Sequence, residues 1–241
     1  MSTRLVTLCF DANDPLTLAR FWAATLQWEI DNEADEEIGL LPSDGTPFEI
    51  LFLPVPDAKT TKSRIHLDLV SNSEEDQRQM VGRLVALGAR RVDIGQPSDA
   101  DYVVLADPED NEFCLILRGD FFATTDLIGA IVYEPANASV GHFWSEATGW
   151  PVVYDQDGDT AIRAPNGRGP FITFGPASGG PKAGKNRLHL DVAPPPGGDQ
   201  DVEVDRLIEL GAQRIDIGQG DVSWVVMADP DGNEFCVLTP R

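Results

Sequence analysis

The chain has 241 residues, enough for one large core or two small ones. Its 40 acidic side chains against 18 basic ones give a net charge of −22, which argues against nucleic-acid and anionic membrane partners. Apolar residues make up 42%, too many for a disordered chain, and no apolar run is long enough to span a bilayer.

In chain order, residues 5–10 alternate and are rich in strand formers. Asp14 and Pro15 then supply an N-cap and a first-turn proline, so a helix is expected to about Gln27. Weak strands fall between residues 28 and 45, and residues 48–53 form a strong one. Residues 64–70 are the next strand. Ser73, followed by Glu74, Glu75 and Asp76, opens a helix with Met80, Val81 and Leu84 on its apolar face. Gly88 ends it, at a position where positive φ is wanted. Residues 102–106 and 112–117 make a hairpin across residues 107–111. A module of strand, helix and three strands thus occurs twice.

The second half repeats the first. LGARRVDIGQ (87–96) returns as LGAQRIDIGQ (210–219), with 8 of 10 positions identical. ADPEDNEFC (106–114) returns as ADPDGNEFC (228–236), and RIHLDL (64–69) as RLHLDV (187–192). Phe21-Trp22 and Trp28 reappear as Phe143-Trp144 and Trp150. An almost constant offset of 122–123 marks a duplication, with domains expected at 1–120 and 121–241. The three cysteines, Cys9, Cys114 and Cys236, are an odd count that predicts no disulfide framework and a reducing, cytoplasmic setting.

Strand parity nominates the functional face. In RIHLDL, Ile65, Leu67 and Leu69 alternate with Arg64, His66 and Asp68. A sheet covered by helices on one side turns the apolar set toward them and the polar set away. Glu49, Glu112 and Cys114 fall on the same second face. In the repeat so do Arg187, His189, Asp191, Glu234 and Cys236, with Ile172 where Glu49 was. His66 and His189 are candidates to touch a ligand or shuttle a proton. The competing reading satisfies each within an Arg–His–Asp ladder that needs no ligand. Trp22, Trp28, Trp144 and Trp150 are expected in the core, whereas Trp224 breaks the repeat and is a candidate ligand wall. Residues 179–185 imitate a phosphate loop without its helix, and Asp155, Asp157 and Asp159 imitate a calcium loop without its distal glutamate. The acidic run 33–37 reads as a solvated loop.

The doubled βαβββ unit, with DPLTLARFW after its first strand and DPDGNEF near its end, resembles the vicinal oxygen chelate superfamily. That superfamily includes glyoxalase I, bleomycin-resistance proteins and extradiol dioxygenases; KNRLHLDV and LGA…DPDGNEFCVL are similar to its glyoxalase-like subgroup. The resemblance implies an α+β fold of four βαβββ modules forming two domains with concave mixed sheets, the concave face walling a ligand cavity. Where members use a divalent metal, the resemblance places ligands near Thr7, His66, Gly129 and His189 and at Glu49, Cys114, Ile172 and Cys236. Too few of these suit a hard cation, so no metal or other cofactor is expected; the alternative is zinc on Glu49, His66 and Cys114.

The function expected is binding of a small organic molecule, with His66, His189, Arg64, Asp68, Glu112, Cys114, Arg187, Asp191, Trp224, Glu234 and Cys236 around it. The alternatives are a glyoxalase I-type lyase or isomerase with a metal at Glu49 and His66, a dioxygenase-related activity, or metal-free acid/base catalysis by His66 or His189. A homodimer is left open, as is whether cavities form within or between the halves.

Overall fold

The computed structural model describes residues 3–31, 33, 36–137, 139–175 and 182–241. Residues 34–35 of the acidic run and 179–181 of the phosphate-loop imitation lie outside the described residues. The first half comprises β1 (Arg4–Ala12), α1 (Pro15–Leu26), β2 (Glu29–Asp31), β3 (Ile38–Leu41) and β4 (Glu49–Pro54). It continues with β5 (Ile65–Ser71), α2 (Glu74–Leu87), β6 (Arg90–Arg91), β7 (Val103–Ala106) and β8 (Glu112–Leu117). A 3₁₀ turn at Asp120–Phe122 lies in the linker. The second half follows the same order: β9 (Ile128–Tyr133), α3 (Val140–Thr148), β10 (Val152–Gln156), β11 (Asp159–Arg163) and β12 (Phe171–Phe174). Then come β13 (Leu188–Ala193), α4 (Gln200–Glu209), β14 (Gln213–Arg214), β15 (Val225–Ala228) and β16 (Glu234–Val237). None of the helices described is long and apolar enough to cross a membrane.

The helix ends follow from local chemistry. Asp14 Oδ1 accepts the Thr17 N–H at 3.1 Å, and Ser73 Oγ accepts that of Asp76 at 3.1 Å. Gly88 adopts φ +118°, which lets its own N–H and that of Ala89 reach back to Val85 and Leu84.

The strands assemble into two eight-stranded sheets, ordered β14-β15-β16-β13-β1-β4-β3-β2 and β10-β11-β12-β9-β5-β8-β7-β6. Each sheet therefore takes one module from each half, and the concave faces form between the halves. Antiparallel pairs join the modules. In β1/β13, Cys9 stands opposite His189 and Thr7 opposite Asp191. In β5/β9, His66 stands opposite Val132 and Asp68 opposite Ala130.

Ile65, Leu67 and Leu69 are buried on the helix side with Phe113 and Leu115, as the alternation requires. Trp22 and Trp144 are core residues with a structural task. Their Nε1–H groups donate to Asp107 (3.2 Å) and Asp229 (3.1 Å), the first aspartates of the two DP hairpin turns. Asp107 also caps its own turn, accepting the N–H groups of Glu109 and Asn111. The repeated motif thus pins a hairpin to the first helix of its half. Burial pushes the Asp107 carboxyl up to about 6, and Asp229 up as well. Truncating either tryptophan to alanine would cost roughly 3–5 kcal/mol.

Candidate functional site

On the concave side of the β5/β9 sheet, β5 carries His66 and Asp68, and the parallel neighbour β8 sets Cys114 opposite Asp68. His66 Nε2 lies 3.5 Å from Asp68 Oδ1, and Nδ1 lies 4.0 Å from Glu134 Oε1. The Cys114 thiol donates to the Asp68 carboxylate, and burial together with that carboxylate pushes its pKa well up. Asp68 Oδ1 is buried without a hydrogen bond. Glu112 is occupied by Lys59 at 2.8 Å and the Ser63 N–H at 3.0 Å, which ties down the segment entering β5. Ile94, Tyr102, Val104 and Ile116 add an apolar wall, and together these residues line an open cavity of about 260 Å³.

The matching site around His189 on the β1/β13 sheet is buried. Cys9 takes the place of Val132, and its thiol donates to Asp191 Oδ2 at 3.3 Å; Cys236 donates to the same carboxylate. His189 Nε2 lies 3.5 Å from Asp191 Oδ1, and Cys9, His189, Asp191 and Cys236 are all buried. Burial raises the pKa of Asp191 and of both thiols. Glu234 repeats the anchoring role of Glu112, holding Lys182 at 2.5 Å and the Asn186 N–H at 3.2 Å.

Several expected site residues go elsewhere. Arg64 pairs with Asp231, and Arg187 with Glu109 at 2.5 Å, each in the hairpin turn of the opposite half. Both arginines line a separate cavity of about 380 Å³ between residues 55–65 and 185–188. The Arg–His–Asp ladder is therefore reduced to its His–Asp pairs, because the long guanidinium stems reach past the face to a carboxylate in the other half. Trp224 is 37% exposed; its approximate counterpart Tyr102 is the aromatic that lines the cavity over His66.

The ligand set Glu49, His66 and Cys114 is overturned. Glu49 sits on β4 beside Thr7, in the β1/β13 sheet, whereas His66 and Cys114 belong to the other. The register in the repeat also differs by one residue. Thr7 pairs with Glu49 as Ala130 pairs with Phe171, so Phe171 is the counterpart of Glu49, and Ile172 packs into the helix-side core. The superfamily's four-strand metal set consequently does not fit: on the β5/β9 sheet Ala130 and Phe171 hold two of the four positions, and on the β1/β13 sheet Thr7 holds one while Glu49 stands apart from the donor cluster. Two other donor groups do cluster, His66–Asp68–Cys114 and Cys9–His189–Asp191, with donor atoms within 4.8 Å of one another.

Ile94, Lys62 and Glu134 escaped the sequence reading. Glu134 was accessible to it, since it continues the parity of Ala130 and Val132; Ile94 lies in the repeated DIG segment.

The description "glyoxalase-like domain" matches the chain twice, over residues 7–116 and 130–238. Glyoxalase I from Zea mays is similar in structure over 99% of this chain and 92% of its own, at 12% identity and a TM-score of 0.64. A putative dioxygenase from Bacillus subtilis subsp. subtilis str. 168 is similar over 99% and 86%, at 14% identity and a TM-score of 0.64. At these identities the likeness is one of fold. No curated protein sequence matches the chain.

Proposed function

The chain belongs to the glyoxalase-like domain family, and on that premise we propose that it binds a small organic molecule, without a metal, in the cavity over His66. The observation that carries this is the cavity of about 260 Å³, with Ile94, Tyr102, Val104 and Ile116 on one side and His66, Asp68 and Glu134 on the other. That volume is below the roughly 300–1,000 Å³ of drug-sized sites, so the ligand is compact. Its apolar part lies against Tyr102 and the aliphatic wall. A hydroxyl or amine on it meets the part of the Asp68 carboxylate that stays exposed in the cavity. His66 stands between two carboxylates and holds or passes a proton at Nε2.

A second reading places zinc on His66, Asp68 and Cys114, three donor atoms clustered within 4.8 Å and the number a catalytic zinc takes from its protein. Zinc would supply a Lewis acid there. One zinc per chain in protein purified without a tag would favour this reading, and its absence the metal-free one.

Thermal-shift measurements with aromatic antibiotics, α-ketoaldehydes and thiol adducts test the proposal, since a ligand that binds only the folded state raises Tm. The shift is expected to vanish in His66→Gln and Tyr102→Ala and to persist in His189→Gln. A shift that survives both changes at the cavity, or its absence throughout, sinks the proposal.

A further inference from the structure

We infer that Phe121 and Phe122, in the linker between the repeats, set the far edge of the ligand site by occupying the remainder of the same concave face. The inference rests on the ligand reading above and adds what limits that site to compact molecules. Beyond the cavity floor, β9, β11 and β12 present Ala130, Ala161 and Phe171, with Val132 and Tyr154 beside them. The Phe122 ring packs on this cluster, and Phe121 lies beside it on Phe171. Phe121 stacks on Phe171 with centroids 4.3 Å apart and meets Tyr154 edge-on at 5.9 Å; Phe122 meets Phe171 edge-on at 6.0 Å.

The backbone is arranged for this occupant. At Gly129 a Cβ would come within 2.6 Å of Val70 and 3.2 Å of the Phe122 ring, so glycine lets both side chains pack close to the backbone there. The linker is then fastened from both sides. Arg118 Nη1 donates to the carbonyls of Phe122 (2.8 Å) and Thr125 (2.6 Å). Arg163, 4.5 Å above the Phe171 ring, donates to Thr124 Oγ1 at 2.6 Å.

Two observations separate an occupant from ordinary core filling. Phe121 remains 39% exposed, so its ring covers a surface without being enclosed by one. And the bed abuts the site, since Ala130 and Val132 stand directly opposite Asp68 and His66. On the other sheet the positions of Ala130, Val132 and Phe171 are held by Thr7, Cys9 and Glu49. There Glu49 is exposed.

The test uses the full chain and the neutral fluorophore N-phenyl-1-naphthylamine, whose binding the net charge does not oppose. Removing both rings, Phe121→Ala with Phe122→Ala, is expected to tighten its apparent Kd by about tenfold, since two ring areas become available to an apolar ligand. Phe121→Trp, which keeps an occupant, is expected to bind the probe as the unaltered chain does. Should the double variant fail to fold by circular dichroism, Phe121→Ala alone replaces it, with an expected gain of about threefold. A folded variant that takes up no more probe than the unaltered chain overturns the inference, and so does a loss of stability without a gain in uptake. Failure of the ligand reading would look different. No compound would then respond to His66→Gln or Tyr102→Ala, while the probe still entered the uncovered bed.

Discussion

On the β1/β13 sheet, His189 and Asp191 lie buried between two thiols, Cys9 and Cys236. On the β5/β9 sheet, His66 and Asp68 have a single thiol, Cys114, with Val132 in the place of Cys9, and they face a cavity of about 260 Å³. The strands that carry these residues are near copies, so their geometry was copied with them. What lies beside them was not copied: Cys9 closes one network, and the linker rings cover part of the other face. Duplication multiplies a scaffold, and a divergence at matched positions, Cys9 against Val132, changes what surrounds each copy.

The largest pH-dependent effect expected concerns what the two copies share, and it is the control for the rest. Burial holds the Asp107 carboxyl at about 6 in the fold, above its unfolded value. The associated stability is complete below about pH 4 and is lost as pH rises through 6, a loss of about 3 kcal/mol. Asp107→Asn should remove that slope in urea midpoints measured from about pH 4 to 7. Asp229→Asn should act in the same direction, because burial raises that carboxyl too.

The next effect separates the faces. Asp191→Ala removes the acceptor of two buried thiols and should cost about 2–3 kcal/mol, against about 1 kcal/mol for Asp68→Ala on the opened face. Equal losses would break the comparison. Asp191 also carries a pH signature. Its folded pKa is raised by burial, so its contribution falls as pH climbs past the usual carboxylate range. Asp191→Asn should therefore gain on the unaltered protein in thermal melts taken from acid toward neutral pH. The smallest effect is at the imidazoles: His189→Gln should cost about 1–2 kcal/mol, and His66→Gln less than about 1 kcal/mol while abolishing ligand-induced shifts.

Much of the face was legible because alternation is a local rule. Ile65, Leu67 and Leu69 point one way, so His66 and Asp68 must point the other, and the same parity delivers Cys114 beside them. The pairing of β1 with β13 is not local, and the sequence offers no signal for which half supplies a neighbour. That is why Glu49 was grouped with His66 although they belong to different sheets. The one-residue offset at Ile172 has a similar cause: β9 and β12 carry apolar residues on both faces, which leaves alternation without a contrast to read. Arg64 and Arg187 teach a third limit, since parity fixes where a side chain leaves the backbone and not where a long cation finds its carboxylate.

The exchange of modules between sheets has a consequence for the chain as a polymer. Residues 1–120 alone would leave β1 and β5 as raw margins, each lacking the antiparallel neighbour supplied by the other half. A chain severed in the linker would have to re-dock its two fragments to cover those margins. A solitary repeat would meet the same demand only by embracing a twin, so the linker turns what would be an encounter between two molecules into an internal event.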